Sequence, residues 1–223
     1  MSQPRKSPNT IPPRDVSLRK GTWAGLIPAA GLSSRMGFPK SLLLNEDGIP
    51  FAVALSRAFL DAGLAPVIVT IPPSPMSDQL EDALGPLRVQ TTLNMAPHKG
   101  LSGSIETAIQ RIPPQASGIF LCPIDNPFAS ADLIGGMLGA LEQTAPPCQA
   151  VVASYGGRSG HPVAFGRSLF PDLLHAGDNG GPRSVLESLG SQVLRYETQT
   201  PNTLCNLNTP EAYERTFGKR PGQ

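Results

Sequence analysis

The chain is short of cysteine, of net charge and of long apolar runs, and each shortage argues against a class of protein. Its 223 residues include three cysteines, Cys122, Cys148 and Cys205, far apart and in no CxxC or Cys/His spacing. That pattern speaks against a disulfide framework and against a zinc site. The 18 lysines and arginines offset 17 acidic residues to a net charge of +1, so there is no general electrostatic pull toward nucleic acid or an anionic membrane. An anionic ligand must therefore be held by a local site. No apolar run reaches membrane-spanning length, and the N-terminus lacks the apolar stretch of a secretory signal. The expected location is the cytoplasm. The P-loop pattern GxxxxGK[ST] and the dinucleotide fingerprint GxGxxG are also missing at the one glycine loop where they would be sought.

What remains is an ordinary globular composition, 39% hydrophobic and 16% charged, at a length that suits one medium domain with a full core. Residues 1–22 are polar and Pro-rich, with five Lys/Arg and one Asp. They cannot bury enough apolar surface to fold alone, so they read as a disordered leader, with a basic docking arm as the alternative. The folded domain is expected over 23–218, with a short tail at 219–223.

From Trp23 onward, short β-rich runs alternate with helical segments. Strands are expected in AGLIPAA, APVIVTI, LRVQTTL, SGIFLCPID, CQAVVAS and QVLRYE. Helices are expected after Pro50 up to Gly63, over SDQLEDAL with Ser77 as cap, over SGSIETAIQRI, over SADLIGGMLGALEQT capped by Ser130, near 182–189, and after NTPEAY. This alternation points to an α/β domain: parallel strands with helices on both faces. In such sheets ligands bind beyond the carboxyl ends of the strands, at a topological switch point, and the polar motifs fall mostly at those ends.

The first of these motifs is GLIPAAGLSSRMGFPK. Gly31 follows the first strand directly, and a glycine there lets an anion approach the backbone. The loop to Gly37 offers consecutive N–H groups, the hydroxyls of Ser33 and Ser34, and the Arg35 guanidinium, with Lys40 just beyond. That is the composition of an anion nest; a polar surface loop is the plainer reading. In LNMAPHKGLSGSIETAI, Asn94 closes a strand, and Gly100, Ser102 and Ser104 open a helix whose free N–H groups can receive an anion, or whose serines simply cap it. Asp125, in CPIDNPF, places a carboxylate at a strand tip, a hard oxygen ligand of the kind Mg²⁺ prefers, or else part of a turn. Further on, YGGRSGHPVAF gathers Gly156, Gly157 and Gly160 about Arg158 and His161; a lone histidine there is either structural or functional. Asp178 and Arg183 flank glycines before a helix, and Asn206 and Asn208 precede a helix start at Pro210.

The opening motif as a whole, carried by Ala29, Ala30, Gly31, Arg35, Met36, Gly37, Pro39 and Lys40, resembles the signature of the small nucleotidyltransferases of molybdenum cofactor biosynthesis and their relatives. The resemblance runs from about residue 24 to 217. It implies a single-domain, Rossmann-like (glycosyltransferase-A-like) three-layer α/β/α fold. It implies that Ala29, Ala30, Gly31, Ser33, Ser34, Arg35 and Lys40 wrap the triphosphate of a nucleoside triphosphate, with further nucleotide contacts at Asn94, Gly100 and Ser104. Asp125 and Asn208 would bind Mg²⁺; Asn126 stands where relatives more often have Gln. Gly160, His161 and Pro162 would line the acceptor pocket, joined by Asp178 and Arg183, where this chain carries one extra residue. His161 is not read as a general base, because the attacking group is already a phosphate. Arg35, Lys40 and Asp125 are the implied catalytic residues.

Cytidylyltransferase-like relatives share Ala-Ala-Gly and Gly-His-Pro, whereas Asn-x-Asn at 206–208 is commoner in guanylyltransferase-like ones. The expected donor is CTP, the acceptor molybdopterin or its molybdenum form, and the downstream partner a molybdoenzyme, with no nucleic acid or membrane. Alternatives are GTP for the same cofactor, a sugar or alcohol phosphate acceptor, and a non-enzymatic nucleotide-binding or cofactor-chaperone protein. Asn206 and Asn208 in place of acids motivate the last of these.

Overall fold

Strands form where β-branched and aromatic residues are continuous enough to be buried on both faces, as parallel sheets require. The computed structural model describes residues 22–31, 33–74, 76–144 and 149–222. It has seven strands: β1 (Trp23–Pro28), β2 (Val67–Ile71), β3 (Val89–Leu93), β4 (Gly118–Leu121), β5 (Ala150–Tyr155), β6 (Arg158–Gly166) and β7 (Val193–Glu197). Seven α-helices accompany them: α1 (Phe51–Asp61), α2 (Met76–Leu84), α3 (Gly100–Ile109), α4 (Ala131–Gln143), α5 (Phe170–His175), α6 (Pro182–Leu189) and α7 (Pro210–Phe217). The leader, apart from Thr22, and Cys148 lie outside the described residues.

The strands make one sheet in the order β3-β2-β1-β4-β6-β5-β7. All neighbours are parallel except around β6, which runs antiparallel to both β4 and β5. Two apolar layers cover the two faces. One joins Ile27 and Phe120 to Phe51 and Phe59 of α1, Leu80 of α2, Ile134 of α4 and Tyr213 of α7. The other joins Leu26 and Ile119 to Ile105 of α3, Phe170 of α5 and Val185 of α6. The expected single α/β domain with three layers and a mainly parallel sheet is what the chain forms.

Several local expectations hold for the reasons given. Ser130 caps α4, accepting the Leu133 N–H at 3.2 Å, and α7 starts at Pro210 as expected, with Thr209 accepting the Ala212 N–H at 3.3 Å. Gly63, at φ +81°, follows the C-terminus of α1. Others fail. Ser77 lies inside α2 rather than capping it, and its hydroxyl donates to the Pro72 carbonyl. Strand β4 ends at Leu121, not at Asp125, although the Cys122 and Ile124 N–H groups still reach β1 carbonyls.

The larger omissions are β6 and α5. Glycines and a proline made 156–162 read as loop, yet β6 runs through Gly160, His161 and Pro162 near the middle of the sheet. The sheet tolerates Pro162, which has no N–H to donate, because those three residues lie beyond the paired end of β4 and opposite a register shift in β5 between Val152 and Ser154. The expected tail is also placed: Gly222 approaches the Phe38 ring, and Lys219 Nζ donates to the Asn45 carbonyl at 3.4 Å.

Candidate active site

The chain leaves β1, builds β2 and β3 outward on one side, then returns to build β4 on the other side of β1. That reversal opens a crevice at the carboxyl ends of β1 and β4, the kind of place where such sheets bind ligands. The loop after β1 and the turn after β4 meet there.

Ser33 organises the first of these. It takes φ +49°, accepts the N–H groups of Met36 and Gly37 on its carbonyl at 2.9 and 3.1 Å, and accepts the Lys40 N–H on its hydroxyl at 3.2 Å. Gly37, at φ +67°, completes the reversal in a region that side chains disfavour. Met36 is buried beneath the loop as its anchor. With the loop thus closed on itself, the N–H groups of Ser34 and Arg35 have no acceptor among the described residues, and the Arg35 guanidinium is exposed without an ion pair. Free N–H donors beside a cation are what an anion nest offers.

The second part is held by Asp125 and the segment before α7. The Leu207 N–H donates to the Asp125 carbonyl at 2.8 Å, which brings Asn208 beside Asp125 although 83 residues separate them. Tyr213 fixes that segment from behind: its ring is buried in the core and its hydroxyl donates to the Leu44 carbonyl at 2.7 Å. Lys40 Nζ lies 3.4 Å from Asp125 Oδ2 and donates also to Asn208 Oδ1. Asn208 Nδ2 in turn donates to Asn206 Oδ1. A carboxylate oxygen and an amide oxygen thus converge on one cationic atom. Hard oxygen donors around a positive charge are the chemistry Mg²⁺ or Mn²⁺ uses, so the donor set fits such an ion. Asp125 is the one acid of this donor pair, and no group of three or more His, Cys, Asp or Glu able to hold a metal occurs among the described residues.

Two adjoining cavities share Gly31, Ser33 and Ser34 in their walls. The smaller, about 200 Å³, adds Arg35, Lys40 and Asn208 and is polar and cationic. The larger, about 370 Å³, is walled by Ala29, Phe38, Pro39, Pro72 and Leu80, with the hydroxyl residues Ser41 and Ser74 and no charged side chain. The Ser74 hydroxyl is buried with no partner among the described residues. Pro72, Ser74 and Leu80 escaped the sequence reading. The available signal was the Pro-Pro-Ser-Pro cluster directly after β2, at the same sheet edge as the glycine loop.

The remaining predicted residues fall elsewhere. Asn94 is buried and spends its side chain on its own loop: Nδ2 donates to Ser104 Oγ at 3.2 Å, and Oδ1 accepts the Ala96 N–H at 2.9 Å. Gly100 donates its N–H to Pro97 O. Neither Asn94, Gly100 nor Ser104 lines either cavity. Because α3 starts at Gly100, Ser102 and Ser104 are interior to the helix rather than its caps. Ala30 is buried under the loop.

On β6, Gly160 faces the single 3-10 turn Pro201–Leu204, where a Cβ would stand 2.1 Å from the Thr203 carbonyl oxygen. His161 is joined to Pro162 by a cis peptide bond, and its Nδ1 is buried without a partner among the described residues. Burial pushes the imidazole below its ordinary value, against the opposing influence of the Asp125 carboxylate and the Leu121 backbone. Asp178 lies in the single-turn segment after α5, and Arg183, in the first turn of α6, is exposed and pairs with Glu187 at 2.8 Å.

Comparison with known proteins bears on the fold and the family. No curated protein sequence matches the chain significantly. Among solved structures it resembles Rv0371c from Mycobacterium tuberculosis H37Rv, at 22% identity and a TM-score of 0.74 over 90% of this chain and 100% of that one. A further structure of that protein is a complex with manganese, with a TM-score of 0.68 at 22% identity, over 90% of this chain and 100% of that one. A nucleotidyl transferase from Methanothermobacter thermautotroptrophicus matches at 22% identity and a TM-score of 0.71, over 88% of this chain and 96% of that one. Molybdopterin-guanine dinucleotide biosynthesis protein A from Archaeoglobus fulgidus matches at 16% identity and a TM-score of 0.61, over 87% and 97%. A family model, the MobA-like NTP transferase domain, matches residues 25–193, which include the nest, Lys40, Asp125 and the whole of β6. The chain belongs to the MobA-like NTP transferase domain family.

Proposed function

We propose that this nucleotidyltransferase moves CMP from CTP onto a phosphorylated acceptor, molybdopterin or its molybdenum form, and releases pyrophosphate in a Mg²⁺-dependent reaction. One observation carries the reading: Arg35, Lys40, Asp125 and Asn208 converge at the nest, beside an uncharged cavity of nucleobase size. An anionic triphosphate on one side and a neutral ring on the other match that division.

In the reaction, an acceptor phosphate oxygen forms a bond to the α-phosphorus, and the bond from that phosphorus to the α–β bridging oxygen breaks. Pyrophosphate leaves with the electron pair. Charge on the phosphates is met by the free N–H groups of Ser34 and Arg35, by the Arg35 guanidinium, which can bind two oxygens at once, and by Lys40. Asp125 and Asn208 would hold Mg²⁺, which, when bound, neutralises phosphate charge. Asn94, Gly100 and Ser104 would add nucleotide contacts from the start of α3, where Asn94 bonds Ser104 and Ala96. Gly160, His161 and Pro162 would line the acceptor side, joined by Asp178 and Arg183; burial pushes the His161 imidazole below its ordinary value and so disfavours its charged form. A molybdoenzyme is the expected recipient of the product.

Asn206 and Asn208 favour a second reading, in which GTP is the donor for the same cofactor. Both readings share one test. Pyrophosphate release from CTP or GTP with molybdopterin should require Mg²⁺ and fall by at least about a hundredfold in Asp125→Asn. Unchanged turnover in that variant would remove Asp125 as the metal ligand, and transfer from GTP alone would select the second reading.

A further inference from the structure

Lys40 holds the two oxygens that the proposed reaction gives to the metal. Its Nζ stands 3.4 Å from Asp125 Oδ2 and donates to Asn208 Oδ1, and the Lys40 and Asp125 side chains are only 14% and 19% exposed. We infer that Lys40 is a built-in cation occupying the metal position, so that the divalent ion and the nucleoside triphosphate bind cooperatively and a free divalent ion binds poorly. This inference rests on the reading of Asp125 and Asn208 as metal ligands.

The charge count supports it. The donor pair supplies one negative charge, and the described residues place no cluster of further acids nearby. One carboxylate cannot hold an ammonium group and a divalent cation within contact distance of each other without strong repulsion. The lysine must leave before the metal can settle. The route out is short, because Lys40 also lines the cationic cavity against Arg35 and the nest. Its backbone is pinned by the N–H bond to Ser33 Oγ at 3.2 Å, while the flexible four-carbon stem can turn Nζ toward that cavity. A triphosphate there draws the lysine away from Asp125 and supplies the oxygens and negative charge that the metal lacks. Each ligand then promotes the other, and the coupling is reciprocal.

Mn²⁺ binding to the full chain, followed by electron paramagnetic resonance with and without CTP, tests this. Lys40→Met and Lys40→Gln should each bind Mn²⁺ alone roughly tenfold more tightly than the wild type, mid-range for coupled sites. CTP should raise Mn²⁺ affinity strongly in the wild type and much less in the variants. Two substitutions keep the test alive if circular dichroism shows that one does not fold. Variants that bind Mn²⁺ no more tightly than the wild type overturn the inference. So does a gain that survives Asp125→Asn in the Lys40→Met background, because the ion then sits elsewhere. Failure of the nucleotidyl-transfer reading looks different: the wild type would bind no CTP with Mn²⁺, while the gain in Lys40→Met would still support the lysine's hold on the metal donors.

Discussion

Asp125, Lys40 and Asn208 come from three separate parts of the chain and meet at one point; each is legible as a candidate because carboxylate, amine and amide are recognisable without a structure. The sequence does not show which polar groups serve the loop instead of a ligand. Ser33 looked like a phosphate contact, yet its carbonyl and hydroxyl close the nest. Asn94 and Ser104 looked like nucleotide contacts, yet they bond to each other. A hydroxyl's partner depends on which segments fold against it, and spacing along the chain does not encode that. Gly160 poses the same question in testable form. A Cβ there would stand 2.1 Å from the Thr203 carbonyl oxygen, a backbone atom that cannot swing aside as a flexible side chain could. Gly160→Ala should therefore destabilise the fold by about 1–3 kcal/mol, an overpacking cost, measured by urea denaturation. An unchanged midpoint would leave contact with the acceptor as its only role.

Among the elements, those with strong patterns were legible. The apolar spacing of α1, the Ser130 cap of α4, the start of α7 at Pro210, and the continuous apolar runs of β1, β2 and β4 all appear where residue preference and burial agree. Strand β6 was not legible, because glycine and proline usually punctuate loops and here tertiary pairing with β4 and β5 overrides them. The β5–β6 hairpin has its own support. Glu197 on β7 accepts the Ser154 hydroxyl at 2.7 Å and the Gly156 N–H. The Ser154 hydrogen bond, helped by the Gly156 and Gly157 N–H groups and by Arg195, holds the carboxyl below its ordinary value of 4.5, against a smaller effect of desolvation. The folded carboxyl is thus the stronger acid. Its contribution is present above the ordinary carboxylate range and is lost as pH falls through it. Glu197→Gln should lower the melting temperature at about pH 7 and differ little from the wild type near about pH 3. An equal deficit at both would show that the charge is not what holds the hairpin.

For the molecule as a whole, a net charge of +1 leaves anion binding to one local concentration of cations, and the strand order puts that concentration at the switch between β1 and β4. Fold and family were readable in advance because an α/β alternation and one specific loop motif reinforced each other. Substrate choice was not: the uncharged cavity proposed for the base takes Pro72 and Ser74 from the loop after β2 and Leu80 from α2, which spacing in the sequence does not bring to the glycine loop. Calorimetric titration of CTP, GTP, ATP and UTP into the purified chain, with and without Mg²⁺, addresses this most directly. Mg²⁺-dependent binding with CTP tightest, weakened roughly tenfold or more in Arg35→Ala through loss of charged hydrogen bonds, is the expected result. A chain that binds none of the four, with or without Mg²⁺, would contradict the assignment of the nest to a nucleoside triphosphate.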